Sequence, residues 1–261
     1  MRNETVNLML NRKSIRSFTE RQPSEVEVEV LLEAARQAPF AYQAYSILLR
    51  RDRSKNPFHA PLTFIFCADL HKIERIMEIR GWKRSMNDIF TLLLAFQDAA
   101  YAAQNMVIAA ESLKMGSCYI GGAPLAARSL RKEFDLPPLV FPLVGLAVGY
   151  PGENPPVRPR FPRSFTVIEG KYPRWSDEEV SAAMEVMDQG YLDQDYYRQA
   201  GFMIPLKEGM EEKYSFDTYS WTEHISRKLG LWESSPERIE KLFRESGFLG
   251  SEEDQKTESP L

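Results

Sequence analysis

The sequence predicts an α+β protein with one main core, and three observations support this prediction. The chain has 261 residues, a length typical of one domain that carries a tail. Residues 62–68 and 139–150 are short, continuous apolar runs, which are typical of buried strands. Residues 24–37 carry apolar side chains at helical spacing, and residues 88–114 form a long helical pattern that is apolar almost all round.

The first third of the chain alternates between helical and strand patterns. Residues 4–11 are amphipathic and predict a short helix. Ser24 with Glu27 three residues later is a capping-box pattern, and it predicts a helix that runs to about Gln37. The remaining predictions are a strand over 46–51, a polar loop to 61, the buried strand over 62–68 and a helical region over 71–86.

The second part of the chain begins with a long predicted helix. A helix over 88–114 spans about 40 Å at 1.5 Å per residue, long enough to pack one face on a sheet and another on a partner subunit. Gly116 is expected to stop it. There follow, in order, a Gly121-Gly122 turn, a helix from Pro124 to about Phe134, the strand over 139–150, a proline-rich extended segment over 153–163, one further strand over 164–168, helices near 176–200, 219–229 and 235–246, and a polar tail.

Composition excludes several classes of protein. A formal charge of −4 argues against a nucleic-acid binder, which carries excess positive charge to neutralise phosphates. Cys67 and Cys118 lie in apolar runs without a CxxC spacing, so we expect buried free thiols and no metal site. The N-terminus shows no secretory pattern, and polar residues interrupt the apolar stretch 90–115, so we expect a cytoplasmic protein without membrane attachment.

Three short segments suggest a binding site when they are taken together. Residues 12–16 pack three cations and Ser14 into five positions, and Arg158-Pro159-Arg160 places two guanidinium groups on a stiff backbone. Gly121 and Gly122 permit close approach of backbone N–H groups to a flat ligand. Taken alone, each basic segment is more simply explained as solvated surface, and the glycine pair as an ordinary turn. Their conjunction, without a GxGxxG or GxxxxGK[ST] motif, favours a mononucleotide held by arginine side chains.

These segments occur in an order that resembles the FMN-dependent nitroreductase family. The shared motifs are Arg-Lys-Ser-Ile-Arg-Ser-Phe at 12–18, Ala-Ala-Arg-Gln-Ala-Pro at 34–39, Ala-Ala-Gln-Asn-Met-Val-Ile-Ala-Ala-Glu-Ser-Leu at 102–113, Tyr-Ile-Gly-Gly at 119–122, Val-Gly-Tyr-Pro at 148–151, Arg-Pro-Arg-Phe-Pro at 158–162 and Ser-Trp-Thr-Glu-His-Ile at 220–225. The likeness covers about residues 4–229. It is strongest to the NADPH-dependent, oxygen-insensitive nitroreductase and flavin reductase group.

The resemblance implies a role for each matching residue. Arg12, Ser14, Arg158 and Arg160 match positions that hold the FMN phosphate, with Lys13 beside them. Arg16 matches a cation that faces the N1/O2 side of the flavin, where negative charge develops on reduction. The other matching positions contact or line the flavin, with the Gly121 N–H expected to face N5: Gln43, Tyr119, Ile120, Gly121 and Gly122. No side chain is expected to act as an acid or base, because the cofactor carries the electrons.

The resemblance also implies an architecture. We expect a central, mostly antiparallel sheet flanked by helices, with the long helix at the interface of a homodimer that shares its flavin sites. The expected boundaries are a core over 1–170, a helical C-terminal extension over 171–249 and a disordered tail over 250–261.

The function that the resemblance implies is oxidoreduction with FMN as cofactor and NAD(P)H as co-substrate. In a ping-pong cycle, a nitroaromatic, a quinone or free flavin would take the electrons after NAD(P)H has left. The alternatives are a family relative with other reductive chemistry, such as a dehalogenase or an enoate reductase, and an FMN storage or sensing protein. Two departures from the family pattern, Phe40-Ala41-Tyr42 and residues 53–59, motivate the last of these.

Overall fold

The computed structural model describes residues 2–85, 88–231 and 236–249. The strands within these ranges are β1 (Tyr45–Arg50), β2 (Leu62–Asp69), β3 (Gly116–Ile120) and β4 (Val140–Gly149). The helices are α1 (Glu4–Asn11), α2 (Glu25–Arg36), α3 (His71–Ile79), α4 (Asp88–Ser112), α5 (Ala127–Phe134), α6 (Arg163–Thr166), α7 (Asp177–Leu192), α8 (Tyr196–Ala200), α9 (Trp221–Gly230) and α10 (Pro236–Glu245). The predicted tail over 250–261 lies outside the described residues.

The strands form an antiparallel sheet in the order β1-β2-β4-β3. β2 and β4 occupy the centre, and nearly all of their residues are buried, because helices and loops cover both faces. Their continuous apolar runs are therefore the sequence signal of a central position. The predicted α+β class and antiparallel sheet are confirmed.

The main core lies between this sheet and helices α2 and α4. α2 starts with the predicted capping box, in which the Ser24 hydroxyl accepts the Glu27 N–H and the Glu27 carboxylate accepts the Ser24 N–H. Its inner face buries Val28, Leu31 and Ala35 against α4 and the sheet. In α4 small residues, Ala99, Ala102 and Ala103 among them, bring the helix close to the strands.

Contacts divide the chain into two compact units. One contains residues up to 155 together with α10, and the other contains residues 156–231. α10 joins the first unit because the Phe243 ring stacks on Phe141 of β4, with ring centroids 4.2 Å apart. In the second unit α7 packs against α8 and α9. The boundaries 1–170 and 171–249 expected from the sequence stay a prediction.

Two local predictions are wrong. Residues 164–168 are not a strand, because Arg163–Thr166 form the short helix α6 after Pro162. Gly116 does not stop the long helix, which ends at Ser112. Lys114 reverses the chain with a φ of 59°, and Gly116 is the first residue of β3. None of the helices in the described ranges combines the length and the apolar character needed to cross a bilayer.

Candidate functional site

The basic segment, residues 12–17, lies along the outer edge of β3. Ser14 bridges to Ser117 in parallel fashion, and the Ile15 N–H donates to the Ser117 carbonyl over 2.9 Å. Ile15 is buried directly against Gly116, where any Cβ would collide with the Ile15 side chain. The glycine at position 116 therefore lets the basic segment approach the strand closely.

The residues after β4 hold the other side of the basic segment. The Gly152 N–H donates to the Ser17 carbonyl over 2.8 Å. The Glu153 carboxylate accepts the N–H groups of Arg16 and Ser17, the latter over 3.0 Å, and Lys13 Nζ donates to the Asn154 side chain. The segment is thus held between the edge of β3 and the chain that leaves β4. Its backbone is anchored at Ile15, Arg16 and Ser17, and its Lys13 side chain is held by Asn154.

Arg12, Ser14 and Arg16 share one environment at β3. Burial raises the pKa of the Cys118 thiol, while the positive charge of Arg16, the hydroxyl of Ser14 and the charge of Arg12 act in the opposite direction. Burial also raises the pKa of Tyr119 to about 12, again against the charge of Arg12. The fold therefore brings Arg12 and Ser14, two of the predicted phosphate ligands, together with Arg16 beside Cys118. Both cysteines are buried and free, as predicted.

β3 ends in the predicted glycine turn. Gly121 and Gly122 follow Ile120 directly, and open space surrounds the position that a Cβ would take on either glycine. Tyr119 is partly exposed, and its hydroxyl donates to Gln104 Oε1 of α4 over 3.3 Å. A flat ligand can approach this turn without meeting side chains of the turn itself.

An apolar groove runs beside β3. It has a volume of about 530 Å³ and lies between α4 and the edge of the sheet. Its lining consists of Phe96, Ala99, Ala100, Ala103, Gln104, Tyr119, Leu143 and Val144. An apolar surface of this kind suits a flat aromatic ligand or a partner chain.

A buried carboxylate fixes the loop that contains Gln43. Asp98 of α4 is fully buried, and its Oδ1 accepts the Ala41 N–H over 2.6 Å. Its Oδ2 accepts the N–H groups of Tyr42 and Ala44 over 3.1 and 3.0 Å. The loop bends back at Gln43, whose φ is 51°. The aromatic residues Phe40 and Tyr42 stay exposed on the anchored loop.

Arg158 and Arg160 belong to the second unit, where each has contacts of its own. The Arg158 guanidinium donates to Gln194 Oε1 over 2.7 Å and stacks 4.1 Å from the ring centroid of Tyr196. The Arg160 guanidinium donates to the carbonyls of Arg158 and Pro159 over 2.9 and 2.8 Å. Neither arginine is paired with a carboxylate within the part of the chain that the structure describes.

Arg198, His224 and Lys207 also belong to the second unit. Arg198 pairs with Asp195 and Asp217, so its charge is neutralised within the unit. His224 Nδ1 lies 3.1 Å from the Tyr219 hydroxyl, and burial together with the Lys228 charge lowers the pKa of His224. His224 and Lys207 line a cavity of about 560 Å³ within this unit.

Sequence analysis missed Glu153, Asn154 and Asp98, which anchor the predicted ligand residues through the backbone or a neighbouring lysine. Asp98 had a recognisable signal, because an acidic residue in a helix that is otherwise apolar almost all round must find partners. Glu153 and Asn154 had none, since they belong to a polar, proline-rich segment in which their types are common.

The residues in the first unit fit a flavin mononucleotide. The Arg12 guanidinium and the Ser14 hydroxyl are donors suited to a phosphate, Arg16 is a cation suited to the pyrimidine side of the flavin, and the open glycine turn and apolar groove suit an aromatic ring system.

Comparisons with known proteins identify similar sequences and structures. Residues 48–150 match the sequence model of the nitroreductase family. The FMN reductase (NADPH) of Bacillus subtilis is 33% identical over 213 residues, which are 76% of this chain and 84% of that relative. The oxygen-insensitive NADPH nitroreductase of Salmonella typhimurium is 29% identical over 255 residues, 92% of this chain and 97% of the relative. The solved structure of the NfrA1 nitroreductase from B. subtilis aligns with a TM-score of 0.77 at 29% identity, covering 94% of this chain and 98% of that one.

Proposed function

Because this chain belongs to the nitroreductase family and is an oxidoreductase that uses FMN and NAD(P)H, we propose that it reduces flat small-molecule acceptors in a ping-pong cycle. The acceptor classes are nitroaromatics, quinones and free flavin. The two substrates take turns at one site, and bound FMN supplies the chemistry by accepting a hydride from NAD(P)H and passing the electrons on.

The observation that carries this proposal is the placement of the basic segment. Arg12, Ser14 and Arg16 lie together against β3, and the strand leads within a few residues into the open Gly121-Gly122 turn. Donors for a phosphate and a surface for a ring are thus supplied by neighbouring parts of one strand edge. That combination suits a mononucleotide better than a free anion or an apolar ligand alone.

Each site residue then has a proposed task. Arg12 and Ser14 bind the cofactor phosphate, and Arg158 and Arg160 are proposed ligands of the same phosphate on the strength of the family resemblance. Lys13 adds positive charge beside them while its Nζ is held by Asn154. Arg16 stabilises the negative charge that reduction adds to the pyrimidine side of the flavin.

The remaining site residues shape the wall against the flavin. Tyr119 and Ile120 end the strand, and the backbone N–H of Gly121 is the proposed hydrogen-bond donor to N5, with Gly122 beside it. Gln43 contacts the flavin from the loop that Asp98 anchors. The exposed Phe40 and Tyr42 rings on that loop can cover a flat acceptor.

The proposal is tested by the colour and the reactivity of the purified protein. We expect flavin absorbance that heat releases as FMN, and bleaching of that absorbance on anaerobic mixing with NADPH or NADH. Assays with a nitroaromatic, a quinone and free FMN then rank the acceptors, and double-reciprocal plots at several NAD(P)H concentrations should be parallel. Bound flavin that NAD(P)H does not bleach would favour FMN storage or sensing instead.

We also propose that the protein works as a homodimer through α4. Leu93 is 52% exposed and Tyr101 is 45% exposed, and the apolar groove beside β3 adjoins the same helix. Such a continuous apolar face is costly in water and suits a second copy of the chain. Sedimentation should show a dimer for the wild type and a monomer for Leu93→Arg, with Leu229→Arg in α9 as the exposed control. The cytoplasmic location expected from the sequence stays a prediction.

A further inference from the structure

We propose that Glu153 is a positioning residue for the cofactor site, and that its carboxylate aims the Arg16 side chain by holding the backbone of Arg16 and Ser17. This inference rests on the proposed function, because it assigns Glu153 a task only if the basic segment binds FMN. Glu153 itself is not a ligand of the cofactor.

The geometry of the contact supports this role. The N–H groups of Arg16 and Ser17 both donate to the same oxygen, Glu153 Oε1, and the bond from Ser17 measures 3.0 Å. Bonds from N–H groups to a carboxylate are stronger than those to a neutral acceptor. With both donors engaged by the protein, the contacts of these two residues with a phosphate or flavin must come from their side chains.

Glu153 and its two chain neighbours, Gly152 and Asn154, all contact the basic segment. Gly152 bonds the Ser17 carbonyl over 2.8 Å, and Asn154 accepts from Lys13 Nζ. Three consecutive residues after β4 therefore each hold a different point of the basic segment. Of these three residues, Glu153 is the one that bonds Arg16 directly, and its removal deletes that hydrogen bond.

Charge alone does not explain the placement of Glu153. The side chain is exposed, and within residues 2–85, 88–231 and 236–249 it forms no ion pair. A carboxylate bonded to the backbone of the basic segment also reduces the positive charge that attracts a phosphate. We therefore infer that Glu153 strengthens FMN binding by fixing the direction of Arg16. This gain must be larger than the loss of attraction for the phosphate that its negative charge causes.

The shared acceptor oxygen allows geometry and charge to be separated. Glu153→Gln keeps a carbonyl oxygen that can accept both N–H groups, but removes the negative charge. Glu153→Ala removes both. Glu25→Ala is the matched control, because it also deletes an exposed carboxylate, here the partner of Arg51 at the start of α2.

The experiment measures FMN release from the holoenzyme, the midpoint potential of the bound flavin and unfolding in urea for all four proteins. We expect Glu153→Ala to bind FMN about tenfold more weakly, the loss of roughly one charge-assisted hydrogen bond. Glu153→Gln should bind within about threefold of the wild type. Its flavin potential should be more positive, because a nearby negative charge disfavours the added electrons. Glu25→Ala should match the wild type in both respects.

Each other outcome has a definite meaning. Wild-type affinity in Glu153→Ala, or equally weak binding in both Glu153 variants, overturns the positioning role. Equal flavin potentials in Glu153→Ala and Glu153→Gln, which both lack the charge but differ in the acceptor, show that Arg16 keeps its place without the acceptor oxygen and also overturn it. A wild-type protein that binds no FMN refutes the proposed function itself, which keeps the two failures distinct.

Discussion

Asp98 and Glu153 both use a carboxylate to accept hydrogen bonds from the backbone of a loop, but Asp98 is fully buried and Glu153 is exposed. Asp98 holds the loop 41–44 from inside the core, while Glu153 holds residues 16 and 17 at the surface. When a buried acceptor is removed, its donors lose hydrogen bonds that water cannot fully replace. When an exposed one is removed, water takes its place and only the geometry changes. The same contact thus supports the fold in one case and the site in the other.

Removal of the Asp98 side chain should produce the largest effect. Asp98→Ala leaves three N–H groups without their acceptor, and we expect it to lower the free energy of unfolding by about 3 kcal/mol in urea titrations. Glu153→Ala is the matched exposed change and should cost less than about 1 kcal/mol. Equal losses in the two variants would show that burial does not distinguish these anchors.

Arg16→Ala tests the side chain that the exposed anchor positions. It should weaken FMN binding by about 1–3 kcal/mol, the cost of a lost charge-assisted contact, without lowering the stability of the FMN-free protein by a similar amount. Arg51→Ala is the control, because Arg51 pairs with Glu25 outside the site. FMN titrations followed by flavin fluorescence measure the difference. Unchanged affinity would remove Arg16 from the site.

Arg160→Ala should act in the same direction but at the lower end of that range, about 1 kcal/mol. The Arg160 guanidinium already donates to two carbonyls of its own segment, and these bonds must be exchanged for any bond to a phosphate. The same titration measures this loss. A larger loss than in Arg16→Ala would show that the phosphate contact of Arg160 contributes more to FMN binding than the flavin contact of Arg16.

Tyr150→Phe should have an effect as small as that of Arg160→Ala, but its effect should depend on pH. The Tyr150 hydroxyl donates to Glu27, and this bond, with bonds from the Ser24 backbone and hydroxyl and the charge of Arg21, lowers the pKa of Glu27 from 4.5 to about 2. Because the folded pKa lies below the unfolded one, the stabilisation is fully present above pH 4.5 and is lost as the pH falls through about 2.

We therefore expect Tyr150→Phe to cost about 1 kcal/mol near neutral pH, and less at each step below pH 4.5. Urea unfolding at a series of pH values measures the difference from the wild type. A difference that stays constant down to pH 2 would mean that the hydroxyl acts independently of the Glu27 charge.

Local sequence patterns were enough to predict most of the helices and strands. Apolar runs predicted β2 and β4, and the capping box predicted the start of α2. The ligand residues suggested by the basic and glycine motifs stay a prediction. These signals are local, because each depends on residues within a turn or a strand of one another. Residues 164–168 misled for the same reason: their apolar side chains fit a strand as well as the short helix that they form with Arg163.

The backbone atoms that the acidic side chains hold could not be read from such local patterns. Asp98 reaches residues more than fifty positions away, and Glu153 reaches Arg16 from the opposite end of the first unit's sequence. The energy of such a contact depends on burial and on the direction of N–H groups, neither of which a sequence pattern records. The basic cluster at positions 12–16 is therefore visible in the sequence, while its placement along β3 follows from the contacts that β3 and the residues after β4 make with it.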